Sequence, residues 1–132
     1  MGIQYNPSIV TDGLVLCLDA ANKRSYPGTG TVWTDLAEDN DLTLHNSPAF
    51  QTNNGGRFQF DGTDDYIEFI SETLNPGFPT SMLCWFKIDQ NSSAQGLFSL
   101  RWHASNYYGF FVNVNASAKL SMHIGDGGSA GS

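Results

Sequence analysis

The chain has 132 residues, of which 40% are hydrophobic, 13% aromatic and only 14% charged, with 14 glycines; this is too aromatic for a disordered chain and too poor in Ala, Glu, Lys and Leu for a helical bundle. Six basic residues against 13 acidic ones give a formal charge of -7, and only Lys23 and Arg24 are adjacent, which weighs against any nucleic-acid partner. No segment approaches the roughly 20 apolar residues of a membrane helix, and the opening Met-Gly-Ile-Gln-Tyr-Asn-Pro is not a signal peptide, so the expectation is a soluble chain made in a cytoplasm without membrane insertion.

Alternation of apolar and polar residues between turn-forming clusters recurs along the chain. Residues 14–19, beginning Leu-Val-Leu-Cys-Leu, form a continuous apolar run, which predicts a strand covered on both faces near a sheet centre. Residues 22–40 open with Asn-Lys-Arg-Ser-Tyr-Pro-Gly-Thr-Gly and predict a long loop pinned by Trp33. Short strands are predicted over 42–45, 57–60 and 66–70, with Asn53-Asn54-Gly55-Gly56 and Asp61-Gly62-Thr63-Asp64 as the intervening turns.

Residues 80–88 are the longest predicted strand, with Met82, Cys84, Phe86 and Ile88 on one face and Leu83 and Trp85 on the other, so both faces are expected to be covered. Segments 96–102, 109–114 and 119–124 complete the series, the last two with one core face and one polar face. No helical period of ten or more residues occurs, which places the chain among antiparallel sandwiches and barrels. Cys17 and Cys84 sit in apolar stretches and read as buried free thiols rather than a disulfide or a zinc site.

Three stretches together resemble the laminin-G-like, concanavalin A-like jelly-roll domains that recur in bacteriophage virion proteins. The first is Gly13-Leu14-Val15-Leu16-Cys17-Leu18-Asp19-Ala20-Ala21-Asn22 with Ser25-Tyr26-Pro27-Gly28 and Trp33-Thr34-Asp35-Leu36, preceded by Tyr5-Asn6-Pro7-Ser8-Ile9-Val10-Thr11-Asp12. The second is Phe58-Gln59-Phe60-Asp61-Gly62-Thr63-Asp64-Asp65-Tyr66-Ile67, and the third is Trp85-Phe86-Lys87 followed by Gly96-Leu97-Phe98-Ser99 and Tyr108-Gly109-Phe110.

The resemblance implies an all-β, antiparallel β-sandwich, here an N-terminal arm over 1–12, a jelly-roll domain over 13–124 and a Gly/Ser-rich tail over 125–132. It departs from the family at Ala37-Glu38-Asp39-Asn40-Asp41, where a Ser-Gly-Asn-Gly-Asn-like loop is usual, and it lacks the family's last third. Either the chain is part of a longer protein, or a neighbouring chain supplies the remaining strands, or the sandwich is a reduced one. An open sheet with an uncovered apolar face is rarely tolerated in isolation, which favours the first two.

No catalytic residue is assigned. Jelly-roll glucanases carry two glutamates and an aspartate on one strand, whereas Glu38, Glu68 and Glu72 form no such triplet; Glu68 with Asp64 is the nearest approach to a carboxyl pair. His45, His103 and His123 are far apart in the sequence and lack evident partners. Calcium is the one cofactor considered, with Asp61, Asp64, Asp65 and Asn106 as oxygen donors beside strand ends. The three aspartates read first as turn residues that bond nearby amides.

Sugar recognition combines aromatic faces with amides and hydroxyls, which makes Trp102, His103, Asn106, Tyr107, Asn113 and His123 the candidate carbohydrate-binding residues. The expectation is therefore a phage virion surface protein of tail fibre, head fibre or decoration type. Its partners would be other virion subunits or copies of itself, and a cell-surface glycan; a purely structural role is the alternative.

Overall fold

A computed structural model describes residues 10–69, 81–89, 94–101 and 108–126. They contain eight strands and one 3₁₀ turn, and every strand pair is antiparallel. The chain is thus all-β, as the alternating sequence requires. It divides into two compact units, Met1–Leu74 and Asn75–Ser132.

The first unit holds five strands: β1 (Val32–Trp33), β2 (Leu42–His45), β3 (Ala49–Gln51), β4 (Arg57–Gln59) and β5 (Tyr66–Phe69). One sheet has the order β1-β2-β5, and β3 and β4 form a separate pair. In β2 the period of two is expressed directly, because Leu42 and Leu44 are buried while Thr43 and His45 face the other way. The register sets Leu42 opposite Phe69 and Leu44 opposite Ile67, so both strands turn their apolar residues to one side.

An aromatic cluster forms the centre of this unit. Tyr26, only 4% exposed, meets Phe50 at 5.0 Å and Phe58 at 4.7 Å between ring centroids, and Trp33 meets Phe58 at 4.8 Å. The predicted loop of residues 22–40 is therefore anchored by Tyr26 as well as Trp33. The Tyr26 hydroxyl donates to the Gly30 carbonyl at 2.9 Å, which satisfies the one polar atom this ring brings inward. Neither β1, which lies inside the predicted loop of residues 22–40, nor β3 was anticipated, since Val-Trp and Ala-Phe-Gln are too short to show a period.

Residues 14–19 do not form the expected central strand. Their backbone groups are taken by a polar knot instead: Cys17 N–H donates to Asp35 Oδ1 at 2.7 Å, Leu36 N–H donates to the Cys17 carbonyl at 2.9 Å, and Asn40 Nδ2 donates to the Val15 carbonyl at 2.8 Å. Asp35, buried at 6% exposure, also receives the amides of Ala37 and Glu38 at 3.0 and 3.1 Å. A continuous apolar run is consistent with a strand, but a ladder needs a neighbour, and here the neighbour is a loop.

Fully buried Ser25 works in the same way, donating to the Thr34 carbonyl at 2.6 Å and accepting from Asp19 N–H at 3.2 Å. The turn between β3 and β4 closes against this region. Gly56 has φ of 135°, and a Cβ there would lie 2.6 Å from the Ala20 carbonyl oxygen, so only glycine fits.

The second unit contains β6 (Gln95–Arg101), β7 (Tyr108–Val114) and β8 (Leu120–Asp126) in the order β6-β7-β8. These strands match the three predicted segments, but the simple core-and-polar reading of β8 does not hold. Val112 and Val114 are buried, whereas Leu120 and Met122, their cross-strand partners on the same face, are 63% and 64% exposed. The face is covered over β7 and left open over β8.

Residues 81–88 depart furthest from expectation. The predicted longest strand takes no strand pairing among the described residues, and its apolar side chains face solvent, with Trp85 93% and Leu83 85% exposed. A strand with apolar residues on both faces must be covered on both, and nothing described here covers either. Cys84, expected to be buried, is exposed, while Cys17 is half-buried; both are free thiols. The Cys84 sulfur is nevertheless sheltered enough for desolvation to raise its pKa above the ordinary value of 9.0.

Candidate functional site

Among the described residues, three places bring chemistry-bearing side chains together. The first is the turn between β4 and β5. Gly62, at φ of 76°, allows the chain to reverse, and Asp61 Oδ1 accepts the amides of Thr63 at 2.8 Å and Asp64 at 3.4 Å. Asp65 Oδ2 accepts the Asp61 amide at 2.9 Å. The Thr63 amide, foremost among these bonds, holds the Asp61 carboxyl below its ordinary pKa of 3.8.

One ligand atom from each of Asp61, Asp64 and Asp65 lies within 4.8 Å of the others. That spacing suits a common cation, but calcium takes about six to eight oxygen ligands and the described residues supply three carboxylates. Asn106, the fourth expected donor, lies outside the described residues. The hydrogen bonds around the turn account for Asp61 and Asp65 as turn-forming residues.

The second place is the polar face of the β2–β5 pair. His45 and Tyr66 are directly opposite and stack with ring centroids 4.4 Å apart at an interplanar angle of 6°. His45 Nε2 lies 3.4 Å from Glu68 Oε2, a diagonal cross-strand pair. The expectation that His45 lacks partners is corrected, because the two-residue alternation of two separate strands places Tyr66 and Glu68 beside it. Glu68, the nearest candidate for a catalytic acid, is engaged by that imidazole.

The third place is the polar face of β6-β7-β8. Phe111 pairs with His123 and Asn113 with Ser121 across β7 and β8, so the predicted candidates Asn113 and His123 come to one face. Phe111 and His123 rings lie 6.0 Å apart, tilted by 34°. On the other side, Ser99 of β6 pairs with Phe111, and Gly96 with Asn113. The Phe111 ring lies over Gly96, with Cε2 3.4 Å from where a Cβ would stand, and remains 38% exposed. Asn113 Oδ1 is buried with no hydrogen-bond partner.

Sequence reasoning placed Phe111 with Asn113 on one face of its strand without selecting it as a site residue, and it missed Ser99 and Gly96. The one signal available was the alternation of β6 and β7, and it could not reveal the register between them. The other candidates, Trp102, His103, Asn106 and Tyr107, lie outside the described residues.

No protein-family model matches the chain, and no curated protein matches it. Among solved structures it is similar to residues 221–444 of an S-layer domain-containing protein from Clostridium thermocellum, with a TM-score of 0.66 at 18% identity. The likeness covers 79% of this chain and 48% of that one, so this chain spans about half the length of its neighbour. At that identity the likeness shows a shared fold.

Proposed function

We propose that the chain is a non-catalytic, jelly-roll-like module of a virion surface that works by assembly with neighbouring subunits or copies of itself. The observation that carries this reading is a set of exposed large apolar side chains in the second unit: Leu83, Trp85 and Phe86 stand in solvent beside no strand partner among the described residues, and Leu120 and Met122 of β8 are also uncovered. An exposed group of large apolar residues marks an interaction surface more often than a free one. The solved neighbour, an S-layer domain-containing protein, shares the fold, and the sequence elements of residues 5–36 and 58–67 are what favour a virion.

The test is sedimentation of the full chain against the double variant Leu83→Ser, Trp85→Ser. Because both residues are exposed, their loss should leave stability within about 0.5 kcal/mol, while the concentration-dependent association of the unmodified chain disappears. A chain that stays monomeric with or without the substitutions counts against assembly through this surface.

A second reading, adhesion to a host glycan, is favoured by one observation. Asn113 and His123, two of the expected carbohydrate-binding residues, share the polar face of β7 and β8. Glycan-array binding by the full chain would support adhesion; a clean array at high protein concentration would remove it.

A further inference from the structure

We infer that β8 is a self-pairing seam: two copies of the chain join β8 to β8, antiparallel about a two-fold axis at His123, and protonation of the two facing imidazoles loosens the seam. This rests on the assembly reading and gives that assembly a partner, a register and a release.

The state of the β8 edge is the first part of the argument. Strand β8 has β7 on one side and no strand on the other among the described residues. Edge strands are normally protected by a bulge, a proline, a lysine or a short length. Strand β6, the opposite edge, has such an irregularity, a register shift between Gly96 and Phe98. Strand β8 runs seven residues in unbroken register with β7 and contains neither proline nor lysine. Its Leu120 and Met122 are 63% and 64% exposed.

The phase of the hydrogen bonds is the second part. The Asn115 amide donates to the Lys119 carbonyl at 2.9 Å, which makes these two a bonded pair. Bonded and non-bonded pairs alternate along an antiparallel ladder, so Ser121, His123 and Gly125 turn their backbone groups to β7. Leu120, Met122, Ile124 and Asp126 turn theirs to the open edge. A second β8 laid antiparallel in complete overlap pairs Leu120 with Asp126 and Met122 with Ile124, twice each, and all of these residues face outward. His123 then meets the partner's His123 at the axis in a non-bonded pair, the class in which side chains approach most closely.

Charge is the third part. The second unit carries Lys87, Arg101 and Lys119 against Asp89 and Asp126, and every other acidic residue of the chain's 13 lies in the first unit. Second units can therefore meet without the repulsion expected between chains of formal charge -7. At each end of the overlap, Lys119 of one copy comes within one register position of Asp126 of the other, so the charges there are of opposite sign. The charged groups that the registers place on the His123 face are Arg101 of β6 and Lys119 beside β8, while β7 contributes Gly109, Phe111 and Asn113. No carboxylate of the three strands shares that face, so two imidazolium ions opposed across the axis repel without a counter-charge.

A seam of seven residues from each copy lies at the low end of specific interfaces. It forms alongside the contact made by Leu83 and Trp85, not in place of it, and is weak enough for one like-charge pair to matter.

The experiment combines hydrogen exchange and sedimentation of the full chain over a concentration series. At about pH 7.5, where imidazole is neutral, the amides of Met122 and Ile124 are expected to gain protection as concentration rises, while those of Ser121 and His123, already bonded to β7, stay unchanged. At about pH 5 association weakens by about fivefold, the worth of one like-charge cross-strand pair. His123→Asn removes that pH dependence and keeps association at the higher pH. Met122→Pro deletes an outward amide without touching the ladder to β7 and weakens association by at least about tenfold.

If the chain associates while the Met122 and Ile124 amides stay unprotected, the seam is wrong and assembly survives. Protection of these amides at every concentration means that the chain covers its own edge, which also overturns the seam. Association that is equal at both pH values, or stronger at the acidic one, overturns the pairing about His123. A chain that stays monomeric removes the seam and the assembly reading together.

Discussion

The two units of this chain reach opposite compromises between regular backbone and closed packing. The first has strands of two to four residues, yet it is closed by an aromatic cluster and by side chains that bond distant backbone. The second has three strands of seven residues in continuous antiparallel register, broken only by a shift between Gly96 and Phe98, yet it leaves Leu120, Met122, Trp85 and Leu83 in solvent. Ladder length is thus no measure of completion. Backbone pairing satisfies polar groups, but the hydrophobic term that stabilises a sheet comes from covering its faces, and among the described residues the first unit buries Tyr26, Leu42 and Leu44 where the second buries Val112 and Val114.

The largest effect is expected for Asp35→Ala. The carboxylate receives the amides of Cys17, Ala37 and Glu38 in a largely buried position, and its own amide donates to Asp41 Oδ1 at 2.9 Å. Removing it leaves several sheltered donors without an acceptor, at a cost of about 2–4 kcal/mol. Hydrogen exchange should show the loss across residues 14–45 while β6 to β8 keep their protection. Equal loss in both units would mean that they unfold as one.

An intermediate effect of opposite sign is expected in the second unit. The turn joining β7 to β8 is stitched by Asn115, whose Oδ1 accepts the amides of Ser117 at 3.0 Å and Lys119 at 3.1 Å. Ala118 sits in it at φ of 58°, a left-handed conformation that costs a residue with a Cβ about 1–2 kcal/mol. Ala118→Gly relieves that strain against a larger entropy loss, for a net gain of about 0.5–1 kcal/mol. Thermal unfolding should move upward, with the added protection confined to β7 and β8.

How far the sequence foretold these units follows the same division. Strands 42–45, 57–59, 66–69 and the three seven-residue strands were legible because a period of two and flanking turn residues are local signals. The run at 14–19 misled because its hydrophobicity is shared by a strand and by a segment packed beside a loop, and only Asp35, 18 residues from Cys17, decides between them. For 81–88 the apolar pattern pointed to a strand covered on both faces, whereas the segment takes no strand pairing among the described residues and its side chains are exposed, because a local pattern cannot supply the neighbours that would cover it. The candidate site was half legible for a related reason. Asn113 and His123 are polar residues on alternating strands, and Phe111 follows from the alternation of β7 itself, but the contributions of Gly96 and Ser99 depend on register, which single-strand alternation leaves undetermined.

The smallest expected effect concerns the acidic turn of the first unit and its pH dependence. The Asp61 carboxyl is held below its ordinary value of 3.8, chiefly by the Thr63 amide, so the folded turn favours the ionised form. A group whose folded pKa is depressed contributes stability that is fully present above the unfolded value and is lost as pH falls through the folded one. The contribution is therefore intact at neutral pH and disappears only below about 3.8. Because Asp61 is exposed, solvent screening keeps it small, and a titration followed by nuclear magnetic resonance reads it better than a denaturation curve. The carboxyl carbon of Asp61 and the amide of Thr63 should titrate together with a midpoint below 3.8, and Asp61→Asn should erase the transition at Thr63. A midpoint at or above 3.8 would mean that the turn does not hold its carboxylate, and that the first unit relies on Asp35, Ser25 and the Tyr26 cluster alone.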